Sequence, residues 1–178
     1  MPLIIVEGAR KSGKTYLIEQ QDSLPVFKFD FNGNFSTWDF SKSSSDVHWF
    51  GLGKEVMLHE LDSSGFLPKV IIDRGILTNS VWGVFQRRVT AEQAKKDLIN
   101  FNKRGFFKNT KIVLIEGEYQ QKRRKDIWDQ DDIRREEETT LFSSFSDLLL
   151  DLGVEVHVFP NNFDLDSVIR FKTKISKL

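Results

Sequence analysis

Gly8-Ala9-Arg10-Lys11-Ser12-Gly13-Lys14-Thr15 is the segment whose residue types and spacing most directly imply a chemistry. It completes the pattern G-x-x-x-x-G-K-[ST]. The two glycines let the backbone bend around an anion with no Cβ in the way. The N–H groups of such a loop, and the N-terminus of a helix that follows it, supply positive potential. Lys14 has the reach to follow the β- and γ-phosphates of a nucleoside triphosphate, and the Thr15 hydroxyl can ligate Mg²⁺. The expected ligand is therefore a nucleoside triphosphate with Mg²⁺, cradled by residues 8–15.

Two further groups could act on it. Val70-Ile71-Ile72-Asp73-Arg74 sets an acid and a base at the carboxyl end of an apolar run. Ligands of open α/β sheets bind at that edge. Asp73 there could hold Mg²⁺ or take a proton from an attacking oxygen. Arg74 could clamp an acceptor phosphate through two parallel hydrogen bonds. The alternative is an Asp that caps the next helix beside a surface Arg. Lys122-Arg123-Arg124-Lys125 is the other group. On a closing lid over residues 117–130, Arg123 and Arg124 would stabilise charge on the phosphoryl oxygens and exclude water. As a solvated helix face they would pair with Asp126, Asp129, Asp131 and Asp132 instead.

The elements that must position these groups follow from hydrophobic periodicity. Strands are predicted at Leu3–Glu7, Val26–Phe31, Lys69–Asp73, Lys111–Ile115 and Val154–Phe159. Four are short and apolar, as expected of strands covered on both faces, whereas Val26–Phe31 alternates like a half-exposed edge. Helices are predicted at about 14–21, 50–63, 76–88, 90–104, 119–128, 130–152 and 164–177. Gly153 marks the end of the long one. Alternating strands and helices imply right-handed crossovers and a parallel sheet. Asn32 to Asp46 reads as irregular yet carries Phe35, Trp38 and Phe40, with Trp49 and Phe50 following. These rings either stack on a nucleobase or tuck into the core, and burial is the expectation.

Composition bounds the alternatives. A chain of 178 residues with 39% hydrophobic and 29% charged content suits one soluble domain, over 1–178. A formal net charge of zero argues against binding nucleic acid through bulk electrostatics. With no cysteine, disulfides, thiolate zinc sites and cysteine nucleophiles are excluded. His48, His59 and His157 lack the spacing of a zinc site. Glu136, Glu137 and Glu138 read as an exposed helix face. No apolar run approaches the ~20 residues that span a bilayer, and no secretory signal is visible. A cytoplasmic protein with no membrane partner is expected.

With these residues in view, the chain resembles the thymidylate kinase branch of the P-loop nucleoside monophosphate kinases. Ile5-Val6-Glu7-Gly8 through Thr15 is similar to that family's first strand and loop. Ile72-Asp73-Arg74-Gly75 through Trp82 is similar to its Asp-Arg-Tyr segment. A strand, a basic lid, a long helix with Phe142, a last strand and a C-terminal helix follow in order. The resemblance implies a three-layer α/β P-loop fold with a five-stranded parallel sheet in the order 2-3-1-4-5. It implies ATP with Mg²⁺ over residues 8–15, an acceptor near Arg74, and a homodimer.

Departures fall on the acceptor side. The family's arginine after the second strand has no counterpart in Asn32–Trp38, Arg10 stands where many members carry an acid that touches the acceptor sugar, and Gly75 replaces a common Tyr. Lys54, Arg87 and Arg88 are the available substitutes for the absent arginine. The leading expectation is phosphoryl transfer from ATP to a (deoxy)nucleoside monophosphate, with Lys14, Asp73, Arg74, Arg123 and Arg124 as the working residues. A nucleoside, a nucleic-acid end or a base in a polymer is the alternative acceptor, and a nucleotide-dependent binding module is the alternative to catalysis.

Overall fold

The computed structural model describes residues 3–28, 44–117 and 132–178. Strand β1 (Leu3–Glu7) is buried along its whole length. The glycine loop leads from it into α1 (Lys14–Gln20) and then β2 (Val26–Lys28). After residue 43 come α2 (Ser44–Ser63), β3 (Val70–Asp73), α3 (Ile76–Phe85) and α4 (Ala91–Lys103). Strand β4 (Thr110–Gly117), α5 (Asp132–Asp151), β5 (Glu155–Asn161) and α6 (Leu165–Lys177) complete the chain. Capping fixes several of these ends. Thr90 Oγ1 accepts from Gln93 N at 3.1 Å to start α4, and Asp164 Oδ1 accepts from Ser167 N at 2.7 Å to start α6. Gly153 turns left-handed at φ 77° behind α5, as predicted.

The five strands pair in parallel in the order β2-β3-β1-β4-β5. The register sets Val6 opposite Asp73 on one side and Val113 on the other. Alternate residues of the central strands enter opposite layers, because a strand's side chains point to its two faces in turn. Ile4, Val6, Val113 and Ile115 pack under α1 and α6. Leu3 and Ile5 meet α2 through Leu58, while Ile112 and Leu114 meet α3, α4 and α5. Both faces of the sheet are thus apolar, and its carboxyl edge is left for the polar groups. On the helical side α2, α3 and α4 share a polar seam. His48 Nε2 lies 3.1 Å from Asp97 Oδ2, and Asn79 Nδ2 donates to the His48 carbonyl at 3.2 Å.

Three expectations need correction. Helix α2 begins at Ser44, so Ser44–Asp46 are helical rather than irregular. Serine and aspartate favour a first helical turn, which apolar periodicity does not register. Strand β5 is not covered on both faces. It is the outer strand beyond β4, and Val158 is 51% exposed. Glu138 is not on an exposed face; it is 1% exposed. Phe29–Phe31, the aromatics Phe35, Trp38 and Phe40, and the helix expected at 119–128 lie outside the described residues. Trp49 is exposed on α2, and Phe50 beside it is half-buried.

Phe145 is fully buried where α5 meets α3, α4 and the sheet. Phe145→Ala is expected to cost about 3–5 kcal/mol through lost burial and the cavity left behind. Urea unfolding followed by circular dichroism should show an earlier midpoint with an unchanged denaturant slope.

Candidate phosphate-binding site

The loop 8–15 leaves the carboxyl end of the central strand. Its shape depends on three backbone conformations that side chains disfavour, Gly8 at φ 141°, Lys11 at φ 61° and Gly13 at φ 84°. A Cβ on Gly8 would collide with the Ile115 carbonyl, and one on Gly13 with the Asn161 amide. That amide is itself a support, since Asn161 Nδ2 donates to the Ser12 carbonyl at 2.8 Å. Asn161 and Phe163 therefore brace the loop from the end of β5. A polar residue closing an apolar strand is the only sequence signal that could have marked Asn161.

Lys14 folds into the loop. Its Nζ donates to the carbonyls of Gly8 at 2.6 Å and Ala9 at 2.8 Å. The side chain is almost fully buried. Burial, with repulsion from Arg74, pushes its pKa down to about 8, against the attraction of Glu7, Asp73 and Glu138. Thr15 stands exposed in the first turn of α1.

Asp73 ends β3 beside the loop. Its Oδ1 is buried and has no hydrogen-bond partner among the described residues. Arg74 turns left-handed at φ 70°, and its N–H extends the ladder to Val6 O at 3.1 Å. Its side chain is exposed. Residues 122–125, with Arg123 and Arg124, lie outside the described residues.

Glu7, immediately before the loop, sets the position of α3. One carboxylate oxygen accepts from Gly75 N at 2.9 Å and Leu77 N at 3.1 Å. The other accepts from Thr78 N at 3.2 Å and from the Thr78 hydroxyl. An acid from a strand thus satisfies the orphan donors at the start of a helix distant in sequence. Close approach also explains Gly75, where a Cβ would lie 2.6 Å from Ile5 Cγ2 and 3.2 Å from Glu7 Oε1. Burial pushes the Glu7 carboxyl up to about 7, with Glu55 adding to the rise and the Thr78 and Gly75 donors opposing it. Glu55, also buried, is raised by desolvation and drawn back by its ion pair with Lys54 at 2.9 Å.

Two more cations reach the site. Lys54 Nζ donates to the Arg74 carbonyl at 3.3 Å, so it stands at the acid–base turn. Arg87 and Arg88 follow the far end of α3, about 15 Å along the helix from that turn. Arg10 runs to the other side. Glu138 Oε1 accepts from its backbone N at 3.0 Å and Oε2 from its Nε at 2.9 Å. The Arg10 guanidinium carbon lies 5.0 Å from the Trp82 ring centre and 5.3 Å from that of Phe85. In sequence, Glu138 is one of three consecutive glutamates, and nothing local distinguishes it. Among the described residues no group of three metal-ligating side chains gathers.

Glu7→Ala is expected to lower stability by about 2–4 kcal/mol, because it strands buried donors at the start of α3. The folded Glu7 carboxyl keeps its proton to a higher pH than an unfolded one. Its stabilising contribution is complete below pH 4.5 and is lost as pH rises through about 7. Glu7→Gln should remove a decline of ~3 kcal/mol from the pH 4.5–7 window, read by denaturant titrations across that range.

No protein-family model matches the chain, and no curated protein matches it. Solved structures do match over nearly its whole length. Deoxyadenosine kinase from M. mycoides with bound dATP has a TM-score of 0.61 at 13% identity, covering 99% of this chain and 100% of that one. Thymidylate kinase from Candida albicans has a TM-score of 0.64 at 12% identity, covering 99% and 91%. Thymidylate kinase from Ehrlichia chaffeensis has a TM-score of 0.57 at 14% identity, covering 99% and 97%. The chain has the fold of these P-loop kinases, with the sheet order 2-3-1-4-5.

Proposed function

We propose that this chain is an ATP-dependent phosphotransferase that moves the γ-phosphoryl group to a (deoxy)nucleoside monophosphate. The observation that carries the reading is the glycine loop at the carboxyl end of the central strand. It holds a buried Lys14 beside an Asp73 oxygen that has no partner among the described residues. A polar atom buried at that cost calls for a ligand.

The residues divide the work. Loop N–H groups and the start of α1 receive the triphosphate. Lys14 exchanges the Gly8 and Ala9 carbonyls for phosphate oxygens and follows the charge as the γ-phosphoryl group leaves ADP for the acceptor oxygen. Arg74 and Lys54 supply positive charge where the acceptor would approach. Thr15 and Asp73 would hold Mg²⁺. The exposed hydroxyl and the orphan carboxylate oxygen suit a hard cation that takes its other ligands from phosphate and water. When bound, the ion offsets charge on the phosphoryl oxygens. The whole of 1–178 acts as one domain in this reading, with 117–130 as its lid. Arg123 and Arg124 would close over the phosphates, and the active form would be a cytoplasmic homodimer.

A nucleoside acceptor is the second reading. The likeness to a deoxyadenosine kinase, with a TM-score of 0.61, favours it.

ADP release measured with a panel of nucleosides and their monophosphates tests both. Acceleration by at least one acceptor is expected, and no acceleration above the Lys14→Ala background overturns the proposal. Lys14→Ala should lose on the order of a thousandfold or more in rate. ATP binding should also be linked to protons. Phosphate oxygens favour the ammonium form, so Lys14, with a free pKa of about 8, takes up a proton on binding in alkaline solution. Affinity should therefore fall by up to about tenfold for each pH unit above 8. Calorimetry in buffers of different ionisation enthalpy reads the uptake directly.

A further inference from the structure

The turn after β5 reaches the phosphate loop through one buried amide. Asn161 is 2% exposed and uses both ends of its side chain. Its Nδ2 donates to the Ser12 carbonyl at 2.8 Å, and its Oδ1 accepts from Phe163 N at 3.0 Å. These partners fix which end is which. A flipped amide would set its oxygen against the Ser12 oxygen and its NH2 against the Phe163 N–H. Phe163 offers that N–H from a left-handed backbone at φ 60°, a conformation its side chain disfavours. The turn is tied in its own right to α6, where the Ser167 hydroxyl accepts from Asn162 N at 3.1 Å. A strained residue and a helix start thus hold one amide against the loop.

What the amide holds is a single peptide plane. The Ser12 carbonyl faces the strand ends, and a Cβ on Gly117, which closes β4, would lie 2.7 Å from its oxygen. In a trans peptide the C=O and the next N–H point in opposite directions. The Gly13 N–H is therefore turned away from β4 and β5, and it makes no hydrogen bond to any described residue. Gly13 has no side chain to restrict its backbone, so the aim of this N–H is left to Asn161. Donation to the Ser12 carbonyl also polarises the peptide and makes its N–H a better donor.

We propose that Asn161 is a positioning residue for phosphoryl transfer: it holds the Ser12–Gly13 peptide so that the Gly13 N–H is aimed at the triphosphate before the nucleotide arrives. This goes beyond the phosphotransfer reading above and rests on it. When the bond between the γ-phosphorus and its bridging oxygen breaks, the electron pair stays on ADP, and charge grows on the leaving phosphate. A donor fixed in advance stabilises that growing charge without reorganising. A donor free to swing still adapts to the bound ground state but loses part of this gain in the transition state. Asn161 therefore weighs on kcat more than on ATP affinity.

Two variants test it. Asn161→Asp removes the donor to Ser12 and keeps an oxygen for the Phe163 N–H. Asn161→Ser is too short to reach Ser12 and introduces no buried charge. Both are compared with wild type for kcat, for ATP affinity by calorimetry, and for the Gly13 amide signal in nitrogen–proton correlation NMR. The NMR probe is a non-hydrolysable ATP analogue with magnesium. Each variant should lose about 30-fold in kcat, while the ATP Kd rises less than about fivefold. In wild type the Gly13 amide proton should move downfield when the analogue binds. In both variants that movement should be lost while the Lys14 amide still responds. The proposal is overturned if kcat is unchanged, or if ATP affinity falls as far as kcat, since the amide would then serve only the shape of the loop. A wild-type Gly13 amide that ignores the analogue overturns it as well. Should Asn161→Asp fail to fold, Asn161→Ser decides by the same readings. Should wild type turn over no acceptor, the phosphotransfer reading fails by itself. The Gly13 signal then still decides Asn161: a downfield movement lost in the variants supports its role, and an equal movement in all three refutes it.

Discussion

A carboxylate without access to solvent holds the working edge of this protein together. Glu7 ends the central strand, and the residue after it opens the glycine loop. Its oxygens take the N–H groups of Gly75, Leu77 and Thr78, which begin α3. The loop, the Asp73–Arg74 turn and α3 are thereby one rigid arrangement rather than three neighbouring pieces. The interaction suits its place, because the start of a helix carries partial positive charge and unsatisfied donors. It also demands close approach, which is why the residue at 75 has no side chain.

Around this anchor the site is a balance of buried charge. Lys14 is nearly removed from water and is repelled by Arg74, yet Glu7, Asp73 and Glu138 keep it within reach of protonation. Acids and bases alternate across the edge, with Lys54 paired to Glu55 and Arg10 to Glu138. Such pairing holds cations ready while limiting their mutual repulsion in a site of low dielectric. Glu138 extends the arrangement to α5, the helix that follows residues 118–131, so the loop is braced from the sheet, from α3 and from α5 together.

Local pattern revealed much of this. Leu3–Glu7 reads as a covered strand because its apolar run leaves no polar face, and Val26 reads as the start of an edge because its run alternates. The loop is legible because its tight turns leave no room for a Cβ at Gly8 and Gly13, and such backbone constraints write glycines at fixed spacing. Strand β5 misled because its composition is that of a covered strand, although its exposure depends on how far the helices reach. The first turn of α2 was hidden because serine and aspartate are common to turns and to helix starts.

The sequence by itself determined the strand–loop–helix at 3–20, the Asp73–Arg74 turn and the ligand class they suggest, since each rests on interactions among residues close along the chain. Tertiary structure alone decided that Glu7 caps α3, that Glu138 grips Arg10, and that Asn161 braces Ser12. These partners are separated by 68, 128 and 149 residues. A glutamate or asparagine offers the same donors and acceptors wherever it stands, and only the packing of distant elements removes the water that would otherwise satisfy it.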